Sequence, residues 1–163
     1  MKNGKPIKFS TISKDPLIFV AFGFGSGLSP VAPGTIGTIV AFPLYWILSG
    51  TMPKEAFLGL VFAFYVLGIY FCDKAGEFSG EADHSGIVWD EIVAMLLILI
   101  FVPQSYWSFI VAFVVFRLFD IFKPWPIYIF DRRFKNGCGV MFDDLLAAIY
   151  TLACFFVFQS AFN

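Results

Sequence analysis

Three charged residues follow one another at intervals of three within or just after an apolar stretch of the sequence. Arg117 and Asp120 lie in the stretch 106–122, Lys123 follows it, and Pro124 is expected to end the helix. In an α-helix this spacing places the three side chains on one face about 120° wide. Charges on an otherwise apolar membrane helix mark a functional site by default, because they are costly unless they contact an ion, water or a partner. The alternative is an internal ion pair that only holds helices together.

Further carboxylates stand near the start of two other apolar stretches. They are Asp90, Glu91, Asp143 and Asp144. Together with Asp120 they form a predicted group of five carboxylates from three helices. Mutual repulsion and desolvation both disfavour ionised carboxylates, so such a group needs compensation. A hard divalent cation is the usual solution, and a ligand set made only of oxygen atoms favours Mg²⁺. The sequence therefore predicts a Mg²⁺ site in which all five are candidate ligands.

The basic residues beside this group indicate what the metal site would bind. A metal ion and the side chains of Arg117 and Lys123 can neutralise phosphate oxygens, while the metal or a carboxylate activates water. We therefore expect Arg117 and Lys123 to bind substrate phosphate. The carboxylates expected to act in catalysis are Asp90, Glu91, Asp120 and Asp144. Neither the separate role of each carboxylate nor the choice between water attack and an aspartyl-phosphate follows from the sequence.

Helix capping is an alternative explanation for some of these acids. Asp143 and Asp144 immediately precede the apolar stretch 145–161, where an N-terminal cap would be stabilised by the helix macrodipole. Capping explains Asp90 and Glu91 less well, because they lie inside a helical pattern. Capping and metal binding are compatible with each other.

A glycine-rich loop at 23–38 is a second candidate for phosphate binding. Glycines allow close backbone approach, and Thr35 could cap the next helix, so that free N–H groups and a hydroxyl near Gly34 would face an anion. The loop is not a Walker motif, since no Gly-Lys-Ser/Thr follows. Taken alone, such a break in a membrane helix more often serves packing or a kink.

The single histidine limits the possible hydrolytic mechanisms. His84 lies in a polar loop, where a histidine is more often solvated than catalytic. Mechanisms that need two histidines are excluded, and neither a Cys-x5-Arg loop nor an Asp-x-Asp-x-Thr motif is present. Metal-carboxylate chemistry remains the main hydrolytic option. The three cysteines form no metal-binding or CxxC pattern.

The composition predicts the elements that must position these residues. Of the 163 residues, 59% are hydrophobic and 14% are charged, and the mean hydropathy is +0.81. Ordinary soluble domains have about 25% charged residues, so we expect one all-α domain over 1–163, a polytopic membrane helical bundle. The sequence has no basic patch with stacking aromatics, the pattern that would indicate a nucleic-acid partner. The lipid bilayer is the expected environment, and the oligomeric state does not follow from the sequence.

Apolar stretches predict about five membrane spans and a shorter N-terminal segment. The spans are expected at 36–49, 55–72, 87–102, 106–122 and 145–161. The stretch 16–28 runs into the glycine-rich loop and is expected to be re-entrant or interfacial. Residues 1–15 are expected to form a retained cytoplasmic tail, because no signal-peptide pattern is found.

Basic residues predict the orientation of this bundle, since Lys and Arg collect in short cytoplasmic loops. With the N-terminus inside, the cytoplasmic segments are 1–35, 73–86 and 123–144. They hold nine of the eleven basic residues, with Arg117 inside a helix and Lys54 outside. In this topology every acid of the predicted site lies at the cytoplasmic end of its helix, and the C-terminus lies outside.

Four sets of residues carry a resemblance to a known family. They are 23–30 with 33–37, 87–91, 116–120 with 123–127, and 143–144. In this order they resemble the phosphatidylglycerophosphatase A family of bacterial inner membranes, over residues 20 to 150. The resemblance implies Mg²⁺-dependent removal of the terminal phosphate of phosphatidylglycerophosphate, which gives phosphatidylglycerol. It also implies that Gly34 and Thr35 belong to the active site.

The sequence analysis thus predicts a multi-pass lipid phosphatase with its site on the cytoplasmic side of the inner membrane. A small ion or solute transporter is the competing class, because intramembrane acids and a broken first helix also suit ion pathways. The charges are expected at one face of the membrane, however, and no inverted repeat is found. A structural membrane subunit explains neither the charged face of 117–123 nor the glycine-rich loop.

Overall fold

The computed structural model describes residues 7–162, without the side chains of Asp131 and Phe162. Over this part of the chain every regular element is helical, which confirms the all-α prediction. The elements are α1 (Phe9–Ile12), α2 (Pro16–Ala21), a 3₁₀-helix (Gly23–Leu28), α3 (Pro33–Ser49), α4 (Lys54–Ser79), α5 (Trp89–Phe101), α6 (Tyr106–Phe122), α7 (Ile127–Arg133) and α8 (Gly137–Phe162).

Helix α5 forms the centre of the bundle. Consecutive residues from Ile92 to Leu96 are all buried, and α5 packs against α3, α4 and α8. A helix that is hydrophobic all round is stable only when other helices cover it. The apolar sequence of α5, uninterrupted from Ile92 to Phe101, therefore explains its central position.

Two of the described helices, α4 and α8, are long and apolar enough to cross a membrane. The predicted number of five spans is therefore not confirmed. Helices lie at all five predicted places, but α3, α5 and α6 have only 17, 13 and 17 residues. At 1.5 Å per residue they extend about 20 to 25 Å, less than the hydrocarbon core of about 30 Å.

Successive helices α3 to α6 run in alternating directions. At one end of the bundle, Tyr45 of α3 donates a hydrogen bond to Gln104, just before α6, at 2.7 Å. Lys54 at the start of α4 lies 5.0 Å from the ring centre of Phe101 at the end of α5. The opposite end, which we call the second end of the bundle, therefore brings together the starts of α3 and α5 and the ends of α4 and α6.

The N-terminal segment is a chain of short helices that packs on this second end. Asp15 caps α2 by accepting a hydrogen bond from Leu17 N at 2.9 Å, and Ala21 O accepts one from Val88 N at 3.0 Å. Ile12 is fully buried, so the predicted tail is folded from α1 onward, while residues 1–6 lie outside the described part. The re-entrant or interfacial placement of 16–28 stays a prediction.

The region 123–144 contains more helix than the predicted loop. Helix α7 lies within it, and α8 begins at Gly137 instead of 145. Gly137 N donates a hydrogen bond to Asp73 of α4, and a Cβ at Gly137 would overlap the backbone of α4. The close contact of α4 with the first turn of α8 stabilises the helix over the eight residues that precede the predicted span.

Candidate functional site

All predicted site residues except Thr35 line one cavity of about 240 Å³ at the second end of the bundle. Its lining is Ala32, Pro33, Gly34, Asp83, Ser85, Ile87, Asp90, Glu91, Arg117, Asp120, Lys123, Asp143 and Asp144. Of these thirteen residues, six are acidic and two are basic. The structure thus brings together all five predicted carboxylates and both predicted phosphate-binding bases.

Arg117 connects α6 to α5. Its Nη1 atom lies 2.8 Å from Glu91 Oε1 and 2.7 Å from Asp120 Oδ2, and the side chains of all three residues are 12 to 13% exposed. Arg117 Nε is buried and has no hydrogen-bond partner among the described residues. The ion pair that the sequence left as an alternative therefore forms, and the guanidinium retains a donor for a further ligand.

Lys123 makes the second ion pair of the site. It ends α6 in a left-handed conformation with φ of 41°, and its backbone N–H donates to Phe119 O at 2.9 Å. Its Nζ atom donates a hydrogen bond to Asp143 Oδ2. Lys123 and Asp143 thus join the end of α6 to α8 at the edge of the cavity.

Asp90 and Asp144 each have a buried carboxylate oxygen without a hydrogen-bond partner among the described residues, Asp90 Oδ1 and Asp144 Oδ2. Asp90 is 8% exposed and Asp144 is 3% exposed. A buried charged oxygen without a partner costs several kcal/mol, so each such atom needs water, an ion or a proton. These two oxygens are therefore the best-suited cation ligands in the cavity.

Among the described residues, the acidic groups of the cavity do not form a complete metal site by themselves. Among residues 7–162, no group of three or more His, Cys, Asp or Glu side chains is arranged so that it could hold a metal ion by itself. Mg²⁺ is usually bound through one or two carboxylates together with waters and substrate phosphates. The unpartnered carboxylate oxygens of Asp90 and Asp144 fit that mode of binding.

The positions of the acids within their helices do not support the explanation by helix capping. Helix α8 begins at Gly137, so Asp143 and Asp144 lie inside the helix and do not cap it. Asp90 and Glu91 instead occupy the first turn of α5, where the macrodipole favours negative charge. Both residues thus lie inside α5, as expected, and neither caps it, because the N-cap residue is Val88 and no side chain caps this helix.

The start of α3 approaches the acids very closely at Gly34. A Cβ atom at this position would overlap the Glu91 carboxylate, so no larger residue fits without a shift. The predicted cap at Thr35 is wrong: α3 begins at Pro33, which places Thr35 in the first turn, and no side chain caps the helix. Of the described residues, Gly34 lines the cavity and Thr35 does not.

Thr38 is a site residue that the sequence analysis missed. It is fully buried, and its hydroxyl donates to Gly34 O at 2.9 Å and lies 3.3 Å from Glu91 Oε2. Arg117 Nη1 lies 3.5 Å from the same hydroxyl. Thr38 lies one helical turn after Gly34, on the same face of an apolar helix. This spacing is the sequence feature that could have identified it.

The loop around His84 contributes other residues to the cavity. His84 Nδ1 accepts a hydrogen bond from Gly86 N at 3.0 Å, and its ring centre lies 5.9 Å from that of Phe22. Of the described residues, Asp83 and Ser85 line the cavity and His84 does not. His84 therefore supports the loop structure, and its neighbours Asp83 and Ser85 were not predicted as site residues.

Comparison with known proteins identifies the family. The model of the family "Phosphatidylglycerophosphatase A" matches residues 19–159. A phosphatidylglycerophosphatase A from Haemophilus influenzae is 41% identical over 160 residues, which cover 98% of each chain. One from Escherichia coli K12 is 40% identical over 136 residues, 83% of this chain and 78% of the relative.

A third relative carries another name. It is a putative phosphatidylinositol-3-phosphatase from Bacteroides thetaiotaomicron, 40% identical over 141 residues, which cover 82% of this chain and 87% of the relative. No solved structure matches this chain. The family match includes every predicted site residue, and the chain therefore belongs to the phosphatidylglycerophosphatase A family of phosphoric monoester hydrolases.

Proposed function

We propose that this protein hydrolyses the terminal phosphate monoester of phosphatidylglycerophosphate to phosphatidylglycerol and phosphate, at the carboxylate-lined cavity. The observation that carries the proposal is the cavity itself, which joins buried carboxylates with two basic side chains in a chain of this family. When its six acids are ionised they outnumber the two bases, so the cavity alone repels a phosphate dianion. Phosphate binding there requires an additional positive charge.

Mg²⁺ is the cofactor we propose for that charge. Asp90 and Asp144 would hold it through their unpartnered buried oxygens, and Glu91, Asp120 and Asp143 are further candidate ligands around the same cavity. The donors are all hard oxygens, which fits Mg²⁺ better than Zn²⁺ or copper. When bound, the ion supplies positive charge to phosphate oxygens and makes a water molecule more acidic.

The protein's own residues provide binding and proton transfer. Arg117 and Lys123 donate hydrogen bonds to phosphate oxygens, and Glu91 and Asp120 hold the Arg117 guanidinium in place. A water oxygen forms a bond to phosphorus while the bond from phosphorus to the glycerol oxygen breaks. A cavity carboxylate accepts a proton from that water, solvent gives a proton to the departing glycerol oxygen so that it leaves as a hydroxyl, and the carboxyl group then returns its proton to solvent.

We further propose that the bundle is embedded in the cytoplasmic membrane. Large apolar side chains on α3, α4, α6 and α8 are exposed, among them Trp46, Phe62, Ile110 and Val157 at 53 to 68%. A soluble protein rarely exposes so many. Helices α4 and α8 would span the bilayer, and the shorter α3, α5 and α6 would complete a five-helix multi-pass bundle.

The site lies at the cytoplasmic end in this arrangement. Lys123 and Lys135 lie at or near the cavity, and Lys135 Nζ is 3.9 Å from Asp83 Oδ2. Lys54 lies at the opposite end, next to Phe101. This distribution matches the enrichment of basic residues on the cytoplasmic side of membrane proteins.

Product analysis tests the proposed function. Purified protein in detergent with Mg²⁺ should convert phosphatidylglycerophosphate to phosphatidylglycerol and phosphate, identified by mass spectrometry, whereas the variant Asp144→Asn should be nearly inactive. Phosphatidylinositol 3-phosphate belongs in the same experiment as a competing substrate, because one relative carries that name. Absence of phosphate release, together with solute flux in proteoliposomes, would support the transporter alternative.

A further inference from the structure

A second cavity, of about 530 Å³, lies between α4, α5 and α8. Its walls are apolar side chains such as Leu58 and Phe62 on α4 and Met141 on α8, and Val93 and Leu97 of α5 form its floor. We call it the acyl groove. Phe62 is 68% exposed, so one wall of the acyl groove faces the surroundings of the bundle.

The acyl groove meets the phosphate site at Asp90. This residue lines both cavities, and it is the only one of the site acids among the described residues that does so. An occupant of the groove therefore reaches a carboxylate of the site with its polar end. Apart from Glu55 at the far end, its remaining length contacts apolar side chains of α4, α5 and α8.

The acyl groove extends over much of the length of the bundle. Along α4 its lining runs from Tyr65 to Glu55, which is about 15 Å at 1.5 Å per residue. Glu55 follows Lys54, which lies next to Phe101 at the opposite end of the bundle. The groove therefore runs from the phosphate site at Asp90 toward that opposite end. An acyl chain leaves its head group in the same direction.

We infer that the acyl groove binds one acyl chain of the lipid substrate while the phosphate occupies the cavity beside Asp90. The inference rests on the proposed function, since it supplies the part of the same substrate that the charged cavity cannot bind. A diacyl phospholipid enters sideways from the bilayer between α4 and α8. A water-soluble phosphate ester would lose this contribution to binding.

Filling the acyl groove tests the inference. A Cβ atom at Gly59 meets no other atom within 4 Å, so the helix backbone tolerates a side chain there. Gly59→Trp places a large ring at the groove wall, and Leu97→Phe narrows the groove from its floor. Ala63→Trp is the matched control, because Ala63 lies exposed on the same helix and outside the groove lining.

The readout is kcat/KM on long-chain and on dihexanoyl phosphatidylglycerophosphate. We expect Gly59→Trp and Leu97→Phe to lower the value about ten-fold for the long-chain lipid, the effect of unburying about two methylene groups. The dihexanoyl substrate should be hydrolysed as by the unmodified protein. Ala63→Trp should change neither value.

Two results would overturn the inference, and they differ from failure of the proposed function. If both groove variants hydrolyse the long-chain lipid normally, the groove holds only bulk lipid. If they lose activity equally on both substrates, the substitutions disturb the site and not chain binding. If the unmodified protein hydrolyses neither substrate, the proposed function itself fails.

Discussion

Replacing Arg117 by lysine separates a phosphate-binding guanidinium from a structural ion pair. Arg117 Nη1 contacts both Glu91 and Asp120, at 2.8 and 2.7 Å. Lysine keeps the positive charge but loses the planar fork, so it cannot hold both acids and also donate to a phosphate. We expect the fold to be retained and catalysis to suffer.

The expected fall in kcat/KM follows from the number of hydrogen bonds between charged groups that the substitution removes. All three side chains are largely shielded from water, at 12 to 13% exposure. Loss of one hydrogen bond between charged groups costs about 1.5 to 3 kcal/mol. If that bond acts in the transition state, kcat/KM falls roughly 10- to 150-fold.

The assay is phosphate release from phosphatidylglycerophosphate, measured beside the midpoint of thermal unfolding. Arg133→Lys is the matched control, because Arg133 is exposed at the end of α7. Near-normal kcat/KM in folded Arg117→Lys protein would refute a phosphate-binding role. A loss of activity that only follows the fraction of unfolded protein would show that Arg117 merely joins α5 and α6.

Three further predictions concern neighbouring residues and the membrane. Lys123→Ala should lower kcat/KM about 10²-fold, as for other electrostatic stabilisers, with an unchanged Mg²⁺ requirement; a large shift in the Mg²⁺ dependence would instead place Lys123 at the metal. Thr38→Val should destabilise the fold by about 1 to 3 kcal/mol, because the buried Glu91 and Arg117 lose a polar partner, and an unchanged unfolding midpoint would contradict this. In cells, a cysteine introduced at Lys135 should be labelled from the cytoplasmic side only, and periplasmic labelling would overturn the orientation.

The charge pattern of the sequence predicted which acidic and basic residues lie together in the cavity, except Asp83. The spacing of Arg117 and Asp120 is a local helical property, and their contact in the structure follows from it. The meeting of acids from three helices followed from the alternation of apolar stretches. Both arguments use only periodicity and burial, which short stretches of sequence encode.

The sequence could not predict features that depend on contacts between distant elements. Helix α8 begins before its apolar stretch because Gly137 contacts Asp73 of α4. Likewise Thr38 became part of the site because Gly34 lets α3 approach Glu91 closely. Hydropathy identifies the lipid-compatible part of a helix and not its ends. The predicted start of the last span at 145 therefore lies inside α8, which begins at Gly137.

The metal requirement of purified protein tests the central claim most directly. Phosphate release from phosphatidylglycerophosphate should be measured after exhaustive chelation, and again after Mg²⁺ is restored in excess. Because the cavity holds six acids against two bases, activity should vanish with the chelator and return with Mg²⁺. Full activity in metal-free protein would contradict a phosphatase site that depends on a cation held by Asp90 and Asp144.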